Sequence, residues 1–452
     1  MPPATTTWPP ARIIVWGVVA VVVGVWFGPR FILAFRPAEN YYFDFLQEWL
    51  SARNYLAGTP VYAEQTQAML RHTGVLLKEG MGMILSWNAH PPASVMIALP
   101  FGHLPYRDAH FLWNVVTFPL FLISIVIILW ELKFPLSPWS LLPALSLLLL
   151  FHPLYLQLFL GQLNILLVFF ITLAWWADRH DRIGWAGVAV GIAAGLKLYP
   201  AFLLAYFFCT RRWRGLATGV ATFLAVNGLA LAVFGIATFR TYIDVVVPSL
   251  QKYQTSGWNI SITAFWLRIF DPHPAQKIIT WSTQPEAARL LIWLSRLVIT
   301  AVVVWVAWRS YSVATRDRAF ATAIVGMLLV SPITWSHYFI LLLLPAALLW
   351  LRWPSGSLRI LLWLVLIPLW MPDYFFVALA VGPSQAQAMV NMQHDPIKPV
   401  VNITFFAVLT YALVALFVLT VICPAHDSPH ATDSPPRATT NPADSEPPNG
   451  AL

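Results

Sequence analysis

Trp185-Ala186-Gly187-Val188-Ala189-Val190-Gly191-Ile192-Ala193-Ala194-Gly195-Leu196-Lys197-Leu198-Tyr199-Pro200-Ala201-Phe202-Leu203-Leu204-Ala205-Tyr206-Phe207-Phe208 is apolar almost throughout, is flanked by Arg182 and Arg211, and is interrupted at Lys197-Leu198-Tyr199-Pro200. Apolar runs between basic flanks are the signature of membrane crossings, because cytoplasmic loops collect Lys and Arg. With both flanks on the cytoplasmic side, the run has to climb to the outer side and return in two short pieces. Irregular backbone at membrane depth survives only where protein or a water-filled cavity satisfies it. The break therefore predicts a cavity that opens outward, with Lys197 at its wall. A second apolar region, Leu141 to Trp176, is interrupted at His152-Pro153 and again at Gly161-Gln162-Leu163-Asn164.

The rest of the chain has the same character. Of 452 residues, 59% are hydrophobic and 10% charged, against about 25% charged in a soluble globular domain. A soluble fold is excluded. Apolar runs of the ~20-residue length that crosses a ~30 Å hydrocarbon core indicate helices and not a barrel, whose strands alternate apolar and polar. The expected fold is all-α, a polytopic membrane protein of about 11–13 transmembrane helices. The net charge of +8 reflects basic residues flanking apolar runs and gives no nucleic-acid signal. Cys209 and Cys423 each sit near an expected cytoplasmic helix end and imply neither a disulfide framework nor a thiolate metal site.

The apolar run from Arg12 to Arg30 is too long for a signal-peptide core and reads as the first span. Residues 424–452, rich in Pro, Ser, Thr, Asn and Asp, read as a disordered cytoplasmic tail behind an integral membrane domain over 1–423. Basic clusters at Arg107, Arg179 to Arg182, Arg211 to Arg214, Arg309 to Arg318 and Arg352 to Arg359 are assigned to the cytoplasm, together with both termini. The long segments Phe35 to His90, Phe239 to Glu286 and Met371 to Pro399 then face outward, where loops on a rigid scaffold carry the working residues. In the first of them (about 36–90), Asp44, Glu48, Ser51 and Tyr55 recur at helical spacing opposite Phe45, Trp49, Ala52 and Leu56. That pattern predicts an amphipathic helix on the membrane surface, ended by Ala57-Gly58-Thr59-Pro60, with a second short helix over about Glu64 to Lys78.

Few residues here can carry chemistry. An ammonium in the setting of Lys197 costs ~2.5 kcal/mol or more if it faces lipid, so an anionic partner is expected unless the side chain snorkels from a helix end. Asp44 opens the surface helix as a candidate general base or as an ordinary N-terminal cap, with Glu48 its competitor one turn on. His337 lies in Ser331-Pro332-Ile333-Thr334-Trp335-Ser336-His337-Tyr338, a polar interruption between apolar stretches, as an anion contact or as a histidine satisfied by a carbonyl. His90, in Asn88-Ala89-His90-Pro91-Pro92, is a weaker candidate of the same kind. The amides of Gln162, Asn164 and Asn259 suit the hydroxyls of a sugar and are equally good caps. No phosphate-binding glycine loop, zinc spacing or serine elbow is present, so a soluble nucleotide donor is disfavoured and no cofactor or metal is expected.

Tyr42-Phe43-Asp44-Phe45, Leu56-Ala57-Gly58-Thr59-Pro60-Val61-Tyr62, His90-Pro91-Pro92, Gly161-Gln162-Leu163-Asn164, Gly191 to Pro200 and Ser331 to Tyr338, taken in order, resemble glycosyltransferase family 87. Its members are GT-C class mannosyltransferases that use polyprenyl-phosphate mannose. The likeness spans about Tyr41 to Pro345 and departs from the pattern at Tyr338, where many relatives carry a second histidine or a varied residue. It implies that Asp44 deprotonates the acceptor hydroxyl, that Lys197 and His337 hold the donor phosphate, and that Gln162, Asn164 and Trp335 line the sugar pocket. His90, Asn259 and Glu48 are further candidates to contact sugar or acceptor. The partners implied are a polyprenyl-phosphate sugar, a glycolipid or glycan acceptor, and the bilayer of the plasma membrane. A β-linked donor then gives an α-linked product. Two other readings compete: a secondary transporter, which also uses broken helices, and a polymerase or ligase of surface glycans.

Overall fold

The computed structural model describes residues 10–36, 38, 41–75, 87–134, 140–254, 256, 258–270, 284–352, 356–390, 400 and 402–423. The tail after 423 lies outside them, as does the stretch 76–86, which includes the end of the expected second short helix. Every regular element among the described residues is helical. A first long helix, α1 (Pro10–Phe35), leads to a compact group of short ones, α2 (Phe45–Leu56), α3 (Gln65–Thr73) and α4 (Pro92–Ala98). Then come α5 (Tyr106–Glu131), the bent pair α6 (Leu141–Leu150) and α7 (His152–Leu160), α8 (Asn164–Arg179), α9 (Ile183–Leu196), α10 (Leu203–Cys209) and α11 (Trp213–Thr241). The rest comprises α12 (Ile262–Phe270), α13 (Glu286–Trp308), α14 (Val313–Val330), α15 (Leu343–Arg352), α16 (Ser357–Trp370), α17 (Asp373–Val381), α18 (Pro383–Val390) and α19 (Val408–Ile422).

Among the described residues, five helical stretches are long and apolar enough to cross a membrane, and up to seven if the pairs α6–α7 (bent by 59°) and α16–α17 (90°) each count once. Shorter apolar helices, Ile183–Leu196, Tyr199–Cys209 and Ser336–Arg352, lie among them. The chain is thus an all-α, multi-pass membrane protein. The expected 11–13 spans count the short and bent pieces as crossings, whereas length and apolarity by themselves license five to seven.

Both interruptions expected from sequence are real breaks. Phe151 is extended between α6 and α7, and Gly161 ends α7 in the left-handed region at φ 66°. At the other break, Lys197 leaves α9 in an extended conformation (φ −142°, ψ 137°), and a 3-10 turn, Tyr199–Phe202, carries the chain into α10. The proline at position 200 lacks the N–H a continuing helix would need, which fixes that boundary. α9 lies hard against α11: a Cβ on Gly187 would sit 2.1 Å from the carbonyl oxygen of Gly215, and one on Gly191 2.5 Å from that of Gly219. No residue larger than glycine permits this approach.

Two expectations need correction. Arg107 does not join the other basic clusters. α5 starts where the Phe43 N–H donates to Tyr106 Oη (2.9 Å) and ends where Arg179 Nε donates to Glu131 (2.9 Å). Arg107 is therefore at the Asp44 end of the bundle, near the Arg36–Asp108 pair (3.4 Å), and the arginine clusters are at the other. The reason is length: α4 has seven residues, about 10 Å of helix, too little to carry the chain across before α5 begins. The second correction concerns α2. Phe45, Trp49 and Ala52 pack as expected, but Glu48 and Ser51 of the polar face are buried too, as are Gln47 and Asn54, and only the end of the helix, Tyr55 and Leu56, is exposed. This helix is a core element of the platform formed with α3 and α4, and its polar residues meet protein.

The remote end is held by ion pairs. Arg352 reaches Asp317 at 3.0 Å, Arg179 bonds both Asp317 and Glu131, and Trp175 Nε1 donates to Asp317 at 2.8 Å. Arg212 bonds Asp178 at 3.1 Å, and Tyr206 Oη donates to the same carboxylate at 2.8 Å. Asp317 is 3% exposed, so removing it leaves Arg352 without a carboxylate and Arg179 with Glu131 alone, and breaking a buried pair in this way typically costs ~3–5 kcal/mol. Asp317→Ala is expected to lower the thermal unfolding midpoint of the detergent-solubilised protein sharply. An exposed control, Asp108→Ala, is expected to leave it nearly unchanged.

Candidate functional site

The breaks at Gly161 and Lys197 and the platform helix α2 meet at one place. Asp44 occupies the N-cap position of α2, yet its side chain caps nothing; the residue is itself in the right-handed helical region. The ordinary reading of that carboxylate as a helix cap does not apply. Instead one carboxylate oxygen, Oδ2, accepts a hydrogen bond from Gln162 Nε2. Gln162 Oε1 in turn accepts from Lys197 Nζ at 2.8 Å, and Lys197 Nζ also donates to Asn164 Oδ1 at 3.2 Å. One amide thus stands between a carboxylate and an ammonium, oriented by both.

Lys197 does not snorkel. It is 4% exposed, its ammonium lies 4.8 Å from the centre of the Tyr338 ring, and among the described residues no carboxylate comes within salt-bridge distance of it. A buried ammonium held only by amides and a ring face is electrostatically unfinished. His337, on the 3-10 turn Ser336–Leu342, adds to this. Its Nε2 is buried without a hydrogen-bond partner, and the side chain lies within electrostatic reach of Lys197 and His90. Among the described residues no carbonyl satisfies that nitrogen, as the ordinary reading would require. Tyr338 stacks on Tyr199 (5.2 Å between ring centres, 18° between planes) and closes the wall beside the ammonium.

Burial pushes the Asp44 carboxyl up to about 6; the Gln162 hydrogen bond and the charges of His90 and Lys197 pull the other way, and Glu48 adds slightly to the rise. Glu48 is not a free competitor. It is 2% exposed and binds His90 Nδ1 in a close pair. The turn carrying His90 is clamped to α2 by Asn88 Nδ2 to Ser51 Oγ (3.1 Å) and Ala89 N to Gln47 Oε1 (2.9 Å), and the loop after α2 adds Tyr62 Oη to His90 O (2.6 Å). The imidazole therefore has one nitrogen fixed by Glu48, within electrostatic reach of Asp44.

Asn259 belongs elsewhere. Its Oδ1 accepts from the N–H groups of Thr334 (2.9 Å) and Ser261 (3.1 Å), and its Nδ2 donates to the carbonyls of Pro332 (3.0 Å) and Tyr253 (3.2 Å). No capacity remains for a ligand; the side chain braces the segment that carries His337. Trp335 is half-buried, edge-on to Tyr253 at 6.2 Å. Two residues of the cluster escape a reading of the sequence. Gln157 donates to Gln162 O and accepts from Asn164 Nδ2 (3.1 Å), and Tyr199 Oη donates to Asn164 Oδ1 (3.1 Å). The signal for Gln157 was a lone amide in an otherwise apolar segment; for Tyr199, its place beside Lys197 at the break. Among the described residues no group of three or more His, Cys, Asp and Glu side chains converges as metal ligands do.

The profile of glycosyltransferase family 87 matches residues 88–332, more than half of the sequence. The chain belongs to glycosyltransferase family 87. The family match includes His90, Gln162, Asn164, Lys197 and Asn259; Asp44, Glu48, Trp335 and His337 lie outside its bounds. Among curated proteins, the chain is 30% identical over 206 residues to a polyprenol-phosphate-mannose-dependent alpha-(1-2)-phosphatidylinositol pentamannoside mannosyltransferase of Mycolicibacterium smegmatis, covering 44% of this chain and 45% of that protein. The similarly named Mycobacterium tuberculosis protein is 26% identical over 264 residues (56% and 55%). A Mycobacterium tuberculosis polyprenol-phosphate-mannose-dependent alpha-(1-2)-phosphatidylinositol mannoside mannosyltransferase is 26% identical over 315 residues (66% and 67%). The chain spans about half the length of the first two relatives. No solved structure matches.

Gly161 is the local key to this family 87 site. A Cβ there would lie 2.7 Å from the Cβ of Phe45, in a backbone conformation that L side chains avoid. Gly161→Ala is expected to cost ~1–3 kcal/mol of stability and to separate Gln162 from Asp44, read as a lowered unfolding midpoint. Gly58→Ala, also at positive φ but with open space around it, is expected to lower the midpoint less.

Proposed function

We propose that this family 87 protein transfers mannose from a polyprenyl-phosphate donor to a lipid acceptor of the phosphatidylinositol mannoside kind at the outer face of the plasma membrane, with inversion at the anomeric carbon. The observation that carries the reading is the bridge Asp44–Gln162–Lys197. It holds a proton acceptor and a cation apart by one amide, the spacing an in-line displacement needs between the attacking hydroxyl and the departing phosphate.

In the reaction, Asp44 takes the proton of the acceptor hydroxyl as its oxygen bonds to the anomeric carbon. The bond from that carbon to the phosphate oxygen breaks, and its electron pair leaves with polyprenyl phosphate. Lys197 and the free Nε2 of His337 receive the charge that grows on that oxygen, the electrostatic role that typically dominates such steps. Gln162 and Asn164, presented at the start of α8, with Trp335, contact the sugar. His90, fixed by Glu48, faces the acceptor side. Orientation follows from the basic clusters: the arginine-rich end belongs to the cytoplasm, which puts Asp44 outside and both termini inside. The relatives' names support the donor and the class of acceptor.

Asp44→Asn is expected to keep the fold and membrane insertion and to lower turnover by ~10²–10⁴-fold, the range for losing a general base. Since the carboxyl titrates near 6 and acts ionised, kcat/KM of the unmodified enzyme is expected to fall about tenfold per pH unit below 6 and to level above it. Turnover by Asp44→Asn close to that of the unmodified protein removes the assignment. Lys197→Met is expected to raise the KM for donor while leaving that for acceptor unchanged, and to lower kcat by ~10²–10³-fold. Both are read with radiolabelled polyprenyl-phosphate mannose by measuring labelled glycolipid and released polyprenyl phosphate. Release of the latter distinguishes an enzyme from a transporter.

A further inference from the structure

A second cationic site lies at the opposite end of α9. A cavity of about 470 Å³ is lined by Asp181, Arg182, Ile183, Gly184, Trp185, Val188, Arg214 and Thr218. It lies where α9 and α11 both begin, brought together by the glycine contacts already described. Gly184 shapes it directly: a Cβ there would lie 3.3 Å from Arg214 Nε, so the absence of a side chain lets the arginine lie against α9.

Charge in this cavity is unbalanced. Among the described residues neither Arg182 nor Arg214 has a carboxylate partner. Arg182 rests on the Trp176 ring (5.3 Å). Asp181 also lines the cavity, but its Oδ1 is already bonded to Arg212 (2.9 Å) and faces Arg316 (3.6 Å). Two helix starts add their positive dipole ends to two unpaired guanidiniums. The location is at the bundle's edge: Trp185 is 70% exposed, and only 11% of the most apolar window of the α11 stretch is buried. A tryptophan so placed marks the level of the lipid headgroups.

We infer that this groove binds the phosphate of an anionic phospholipid from the leaflet opposite the transfer site, Arg182 and Arg214 gripping the headgroup while the acyl chains run down the apolar surface of α11. Basic pockets between the ends of membrane helices are suited to such headgroups. The groove is remote from Lys197 and independent of the transfer chemistry, so its ligand is a resident lipid and not a substrate.

The test uses the full chain purified in neutral detergent, incubated with equal amounts of phosphatidylglycerol and phosphatidylcholine and examined by native mass spectrometry. The expected result is selective retention of phosphatidylglycerol that Arg182→Gln combined with Arg214→Gln reduces about tenfold or more. Val188→Trp, which fills the groove and keeps both arginines, is expected to reduce it similarly; Arg211→Gln, on the Trp308 ring at the same end, is expected to leave it intact. Retention unchanged in the double and Val188→Trp variants overturns the proposal. So does equal loss in Arg211→Gln, which signals nonspecific surface charge, or displacement of lipid by glycerol 3-phosphate alone, which signals a soluble phosphate ligand.

Discussion

A single amide, Gln162, keeps Asp44 and Lys197 from meeting. Were the carboxylate and ammonium in direct contact, each would satisfy the other, and a buried ion pair gives up little of itself to a ligand because separating it leaves a charge stranded. With the amide interposed, each charge has a hydrogen bond and neither has its counterion. Much of the surrounding backbone serves that arrangement. The left-handed turn at Gly161 ends α7 one residue early enough for Gln162 to face Asp44, and Gln157 grips both the Gln162 carbonyl and the Asn164 amide. The extended residue at the end of α9 brings Lys197 to the same point. The helix breaks are therefore the means by which opposite charges are held close and apart.

Such a site is a burden on stability, and the structure counters it at a distance. The remote end concentrates matched charges: Asp178, Asp317 and Glu131 each meet an arginine from another helix. Between the two ends, α9 and α11 approach as closely as two backbones can, and dispersion contacts accumulate where side chains are absent. Unmatched charge is thus tolerated at one end because the scaffold behind it is packed and paired. This division is common where function needs groups that a fold optimised for stability would neutralise.

Sequence alone revealed the parts of this site that contradict their surroundings. A lysine followed by a proline in an apolar run, an amide pair after a glycine, and a histidine between apolar stretches each stand out because the local rule is broken. What stayed hidden depends on partners distant in the chain. Glu48 and His90 are legible as separate candidates, yet nothing local says that they bind each other. Asn259 looks like a ligand amide until Pro332 and Thr334 are found beside it. Arg107 obeys the statistics of basic flanks while violating them in space, because whether α4 crosses the membrane is decided by its length and packing. Gln157 is one polar residue in an apolar segment, a pattern that most often means only a satisfied core amide. The extent of α2's burial was hidden for a related reason: amphipathicity tells which face is apolar, and cannot tell whether the polar face meets water or protein.

The two ends of α9 make the same physics run in opposite directions. Lys197 sits at the C-terminal end, where the helix dipole favours a cation, and its ammonium has amides and a ring face to rest on when no anion is bound. In the proposed reaction a phosphate held there is attracted strongly while charge develops and is not indispensable once the reaction is over, which lets a product leave. Arg182 and Arg214 sit at N-terminal ends, where the dipole adds to their charge and, among the described residues, no carboxylate relieves it. An anion bound there removes a standing repulsion, so its departure is opposed. One helix can therefore present a site that exchanges its phosphate at one end and one that retains it at the other, and the difference lies in the direction of the peptide chain.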